Sequence, residues 1–122
     1  MSLRTTIAKA FASQAEIEAD EERAEARLQV GCTAVAALPD RSRATVTGVL
    51  RTVTLRPRQG VPALQAELYD GSGTLRLVWL GRREISGIDP GRRVRVEGLV
   101  CVMDGRRTMF NSRYDLLPRP GE

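Results

Sequence analysis

Between residues 44 and 117 apolar side chains recur at every second position in short runs, and clusters of Gly, Pro and Asp separate the runs. A period of two between turn signals predicts strands. Five runs follow one another. The first, Ala44 to Arg56, is interrupted by Gly48, where the missing side chain permits a bulge or a sharp bend, and Pro57-Arg58-Gln59-Gly60 closes it. The second, Pro62 to Tyr69, sets Leu64, Ala66 and Leu68 on one side and Gln65, Glu67 and Tyr69 on the other. Asp70-Gly71-Ser72-Gly73 supplies a tight polar turn. The third run, Thr74 to Leu80, then faces Leu75, Leu77 and Trp79 away from Arg76 and Val78. On this parity Trp79 belongs to the core or the barrel edge. Arg82 to Asp89 reads as a short connection of up to one helical turn, ended by Pro90-Gly91. The fourth run, Arg92 to Met103, is split by Gly98, and an Asp104-Gly105 hairpin turn joins it to the fifth, Arg106 to Leu117. Phe110 and Tyr114 share a parity on that last run, which places at least one of them inside.

The first forty residues have a different texture. Residues 5–28 read as a helix, with Thr5 or Thr6 as N-cap and an Ala/Glu/Arg-rich body free of Gly and Pro. Its apolar stripe (Ile7, Phe11, Ile17, Ala24, Leu28) is thin. Glu16, Glu18, Asp20, Glu21, Glu22 and Glu25 make it acidic. Three readings are open: a solvated face or frayed arm, self-association through the stripe, or an arm that docks over a basic face of the same chain. Gly31 ends the helix, and residues 29–43 form a connector with a short apolar patch from Cys32 to Leu38. The domain division expected is 1–40 for the acidic helix and connector, 41–118 for a barrel and 119–122 for a tail.

Charge sharpens this division. The chain carries a formal net charge of +4, yet residues 1–40 hold four basic side chains against seven acidic ones, so the remaining residues carry +7. A surface of that density attracts polyanions, because neutralised phosphates release their counterions. Of the 19 basic residues only Lys9 is not Arg. Arg presents a planar fork to phosphate and stacks on bases, and the codon usage of a GC-rich genome produces the same bias. With 42% hydrophobic and 28% charged residues the chain has enough apolar side chains for a modest core.

Candidate chemistry is sparse. There is no His, no glycine-rich phosphate loop with its Lys, no nucleophile elbow and no convincing carboxylate pair. Asp70, Asp89 and Asp104 read as turn residues. Catalytic residues, metal ligands and cofactors are therefore expected to be absent, and an enzyme is not expected. Cys32 and Cys101 lack zinc spacing and read as small buried apolar residues, with a disulfide unsupported. No segment approaches the roughly 20 apolar residues of a membrane span, and no apolar leader opens the chain. The expectation is a cytoplasmic protein with neither a membrane nor a small-molecule substrate as partner.

Five strands, a Gly-interrupted first strand and a non-strand connection between the third and fourth make an all-β layout. On Val46-Thr47-Gly48-Val49-Leu50, on Leu68-Tyr69-Asp70-Gly71-Ser72-Gly73 with Leu75, Leu77 and Trp79, and on Ile88 to Gly98, the chain resembles the oligonucleotide/oligosaccharide-binding (OB) family of nucleic-acid-binding domains. It is similar in particular to the single-domain type of actinobacteria, to the OB modules of aminoacyl-tRNA synthetases and to the wedge of branch-migrating helicases. The resemblance spans residues 44–117. It implies a five-stranded Greek-key OB barrel with an N-terminal helical extension. It also implies a groove across strands two and three, floored by Gln65, Glu67, Tyr69, Arg76 and Val78. Arg56, Arg58 and Gln59 would wall one side, and Asp104, Arg106 and Arg107 the other.

The nucleic-acid contacts so implied are Arg51, Arg56, Arg58, Gln65, Tyr69, Arg76, Arg106 and Arg107. Glu67 either pairs with Arg76 across the hairpin or marks a floor that takes no phosphate. Single-strand binding needs cations along the backbone path and aromatic faces for the bases, and Tyr69 is the aromatic with groove parity. The expected partner is a single strand of DNA or RNA, bound without sequence preference. The alternative is a protein-interaction or assembly module, with a protein partner or a second copy held through residues 5–28.

Overall fold

The computed structural model describes residues 14–23 and 31–118. The alternating runs become β1 (Ser42–Leu55), β2 (Ala63–Tyr69), β3 (Thr74–Leu80), β4 (Arg93–Met103), β5 (Arg106–Phe110) and β6 (Arg113–Leu116). The first half of β1 pairs antiparallel with β4, from Ser42↔Val100 to Val49↔Arg93, and its second half pairs with β2, from Val49↔Tyr69 to Leu55↔Leu64. Gly48 sits where β1 passes from one neighbour to the other. A Cβ there would lie 2.5 Å from the Tyr69 carbonyl oxygen, so only glycine allows the strands to come this close. The register then slips at Arg51, between Leu50 and Thr52, a bulge of the kind that bends a strand around a barrel. β2 pairs with β3, β3 runs parallel to β5 and β5 pairs with β4, which closes a ring of five strands.

The fifth run is two strands on one edge of β4. Val100 faces Met109 on β5 and Glu97 faces Arg113 on β6, so residues 98–99 oppose residues 110–112. One residue is extra, at Asn111 with φ 51°. Parity therefore changes across the break, and Phe110 and Tyr114 do not share a face. Tyr114 packs against the core, edge-on to Trp79 with ring centroids 6.0 Å apart. Trp79 is 5% exposed, and its indole N–H donates to the Ser112 carbonyl at 3.0 Å.

Inward residues of every strand fill the barrel, among them Val46, Leu50, Leu68, Leu75, Leu77, Val94, Val96, Val100 and Met109. The residue 81–92 connection makes turns rather than a helix and contributes Ile85 and Ile88 to the core. The N-terminal connector contributes Val35, in a single 3₁₀ turn (Val35–Ala37), and Leu38. Asp70 fastens that connector to the β2–β3 turn. One carboxylate oxygen accepts the Val35 N–H at 2.9 Å, and the other accepts the Ser72 N–H, the Ser72 hydroxyl and the Gly73 N–H.

Within the helix expected at residues 5–28, residues 14–23 are helical and the others lie outside the described residues. Ala19, Glu22 and Arg23 form the seated face. A Cβ on Gly71 (φ 87°) would collide with the Ala19 carbonyl oxygen. Arg23 donates to the Gly71 carbonyl at 2.7 Å, and Glu22 accepts two bonds from Arg93 at 2.8 and 2.9 Å. Among the described residues no helix is long and apolar enough to cross a membrane. Cys32 and Cys101 are free and half-buried, and the Cys32 thiol contacts the Thr47 hydroxyl at 2.9 Å.

Candidate nucleic-acid interface

The two segments expected to wall a groove are tight hairpins. The β1–β2 ribbon continues past Leu55↔Leu64: Arg56 donates to the Ala63 carbonyl, and Arg58 and Val61 exchange both backbone bonds at 2.8 and 2.9 Å. The tip is Gln59 (φ 49°) and Gly60 (φ 78°). Between β4 and β5 the tip is Asp104 (φ 52°) and Gly105 (φ 73°), with Met103 opposite Arg106. Two consecutive positive φ values mark the two-residue turn whose twist matches the strands on either side. Both tips are therefore rigid presenters of side chains.

Between them β3 turns Arg76 outward, with Glu67 of β2 on one flank and Thr108 of β5 on the other. Arg76 Nε donates to the Thr108 hydroxyl at 3.2 Å. A cleft opens here, lined by Glu67, Thr74, Arg76, Gly105, Arg106 and Arg107. Burial lowers the pKa of Arg76, and the Arg58 and Arg106 guanidinium groups, one from each hairpin, lower it further against the opposing pull of Asp104 and Glu67. Glu67 and Arg76 face each other in register but form no ion pair. Among the described residues none of Arg58, Arg76 and Arg106 has an ion-pair partner. A second cleft, lined by Arg58, Gln59, Val61, Leu80 and Phe110, lies under the β1–β2 tip.

No protein-family model matches the chain, and no curated protein matches it. Solved structures do. RecG bound to a three-way DNA junction superposes with a TM-score of 0.55 and 24% identity over 69% of this chain, which spans 12% of the RecG chain. The replication factor A-related protein from Methanobacterium thermoautotrophicum gives 0.53 and 15% identity, covering 70% of this chain and 90% of that one. A replication protein A heterotrimer bound to single-stranded DNA gives 0.50 and 16%, covering 75% and 69%. Together with a five-strand ring closed by parallel β3 and β5, these likenesses decide the fold. The domain is an OB barrel.

On this OB barrel Arg58, Arg76 and Arg106 converge. Arg56 is exposed on the ribbon, and Gln65 is half-buried opposite Val78. Val78 itself is 1% exposed and offers no open floor. Arg51 projects from the bulge and lays its guanidinium 3.6 Å from the centre of the Tyr69 ring, so one face of that aromatic is already covered. Arg107 lines the first cleft but commits its guanidinium to the Leu38 and Ala36 carbonyls at 2.9 and 3.2 Å. It ties β5 to the connector.

Two residues escaped the sequence reading. Thr108 is fully buried and orients Arg76. Phe110 is half-buried on the groove side, under the Arg58 guanidinium at 5.5 Å. The signal for Phe110 was Asn111, a residue that tolerates positive φ in mid-strand. The acidic helix is seated on Gly71 and Arg93.

Proposed function

We propose that this OB barrel is a non-catalytic module that binds single-stranded nucleic acid in the groove between its two hairpin tips. The observation that carries the reading is the convergence of Arg58, Arg76 and Arg106 from three separate segments, without ion-pair partners among the described residues. A guanidinium that burial and two neighbouring like charges act on, as they do on Arg76, is relieved by an anion, and a chain of phosphates supplies one to each cation. Phe110 and the open side of Tyr69 add aromatic faces for bases. Solved structures of the same fold include RecG on a DNA junction and replication protein A on single-stranded DNA, which agrees with this reading.

The test is fluorescence anisotropy of a labelled mixed-sequence single strand at low and moderate salt, with duplex, RNA and heparin as competitors. Saturable binding that prefers single strands and survives heparin is expected. Replacing Arg58, Arg76 and Arg106 together by Ala should abolish it, and binding untouched by that change removes the idea.

A second reading, an assembly module, rests on Ile17, which is 57% exposed among the exposed Glu16, Glu18, Asp20 and Glu21. Under it, removal of residues 1–30 changes the oligomeric state or loses a protein partner; an unchanged oligomeric state with every partner retained counts against it.

A further inference from the structure

The acidic helix and the cleft under the β1–β2 tip have opposite surfaces. Ala19, Glu22 and Arg23 seat the helix on the barrel, and Ile17, two residues from Ala19 and five from Glu22, falls on the other side of a 3.6-residue turn. It is 57% exposed, more than any other large hydrophobic among the described residues. Glu16, Glu18 and Glu21 stand exposed beside it, and Asp20 pairs with Arg23. The outward face is an aliphatic knob in an acidic rim. The cleft is the reverse. Val61 and Leu80, 46% and 42% exposed, and the half-buried Phe110 make an apolar hollow. Arg58 stands over the Phe110 ring, and the exposed Arg82 and Arg83 follow Leu80, with Glu84 after them. An apolar centre within a polar rim is the makeup of a protein interface, and rims of opposite sign select the partner.

The seated helix does not fill this cleft in its own chain. Ala19 lies against Gly71 in the β2–β3 turn, which keeps Ile17 beside that turn. The cleft is at the other end of the same ribbon, where Leu80 pairs with Ala63, six residues and roughly 20 Å along β3 from Thr74. We infer that the cleft receives the acidic helix of a second copy of this chain, with Ile17 set among Val61, Leu80 and Phe110 and its glutamates toward the arginines. The inference rests on the assembly reading above and gives it a receiving site. Every copy carries both halves of the contact, the knob and the hollow. Arg58 belongs to the hollow and to the proposed groove, so a groove that holds another copy's helix does not hold a strand at that end.

The experiment is sedimentation velocity of the full-length protein over about 1 μM to 1 mM, the span of dissociation constants for a weak contact. The mean mass should rise toward double that of one copy with concentration and fall back at high salt. Ile17→Asp and Val61→Asp, both at exposed positions, should each stay at the mass of one copy while keeping the Trp79 emission of the parent. Mixed in equal amounts they should form a pair, because the first keeps its hollow and the second its knob. Leu80→Asp repeats the test from the opposite wall. A parent protein that stays single at every concentration overturns the assembly reading and this inference together. Association that persists in any of the variants, or knob and hollow variants that stay apart when mixed, overturns the inference alone. Excess dT12 should return the associated protein to single copies, and a strand taken up without dissociation overturns the shared use of Arg58.

Discussion

Replacing Asp70 by Ala removes a carboxylate that is 2% exposed and accepts four hydrogen bonds, at 2.9 Å from Val35 N–H, 2.9 and 2.7 Å from the Ser72 N–H and hydroxyl, and 3.2 Å from Gly73 N–H. The groups at Ser72 and Gly73 are half-exposed and find water after the change. The Val35 N–H does not, because Val35 is fully buried. Leaving one buried donor unsatisfied costs about 1–3 kcal/mol, and the lost bonds to a charged acceptor raise the total to roughly 3–4 kcal/mol. For a barrel of this size that lowers Tm by about 12–30 °C. The measurement is urea unfolding followed by the emission of Trp79, the single tryptophan and a core residue. Asp70→Asn keeps one acceptor oxygen, which serves either the β2–β3 turn or the connector, so its loss should fall near half that of Ala. An Ala variant within about 1 kcal/mol of the parent would refute the account, since a cost that small is what an exposed turn residue shows.

Three further outcomes are expected. Gly48→Ala places a methyl group against the Tyr69 carbonyl and the Leu68 side chain, and should cost about 2–3 kcal/mol in the same urea assay, at the upper end for overpacking. Arg107→Ala unties two connector carbonyls and should lower stability by about 1–2 kcal/mol, whereas Arg106→Ala, next to it, should leave the unfolding midpoint unchanged and weaken strand binding in anisotropy. The Arg58/Arg76/Arg106 triple Ala variant should reduce the salt slope of any residual binding by about 2, the value for three lost single-strand phosphate contacts.

Periodicity made the barrel legible. Leu64, Ala66, Leu68, Leu75, Leu77 and Trp79 lie inside, as alternate residues of two strands must when one face is buried. The Asp104-Gly105 tip was legible as well, since both residues tolerate positive φ, whereas at the other tip Gly60 marked a turn but the positive φ of Gln59 had no signal. What alternation cannot show is a change of phase. The extra residue at 111 turns Phe110 toward the groove and Tyr114 toward the core, although their spacing of four predicts a shared face. Side-chain commitment was equally hidden. Arg106 and Arg107 look equivalent in the sequence, but one is exposed beside the cleft and the other reaches back to carbonyls near residue 37. That depends on where a distant connector packs, which no local pattern encodes.

The arginines thus divide by what they meet. Arg93 meets a glutamate, Arg107 meets backbone carbonyls and Arg51 meets a ring. Arg76 meets the Thr108 hydroxyl and the fields of Arg58 and Arg106, and Arg58 also lies over the Phe110 ring. Two cations whose fields act on a third, half-buried one make a local conflict, and such conflicts gather where a protein binds or reacts. The conflict also sets a direction for experiment. If the groove holds a polyanion, adding a short single strand should raise the unfolding midpoint, because a ligand bound only by the folded state stabilises it in proportion to the logarithm of its concentration. The same strand should do nothing for the triple Ala variant. A midpoint raised equally in both proteins would place the anion elsewhere on the barrel and leave the convergence of these three side chains without a role.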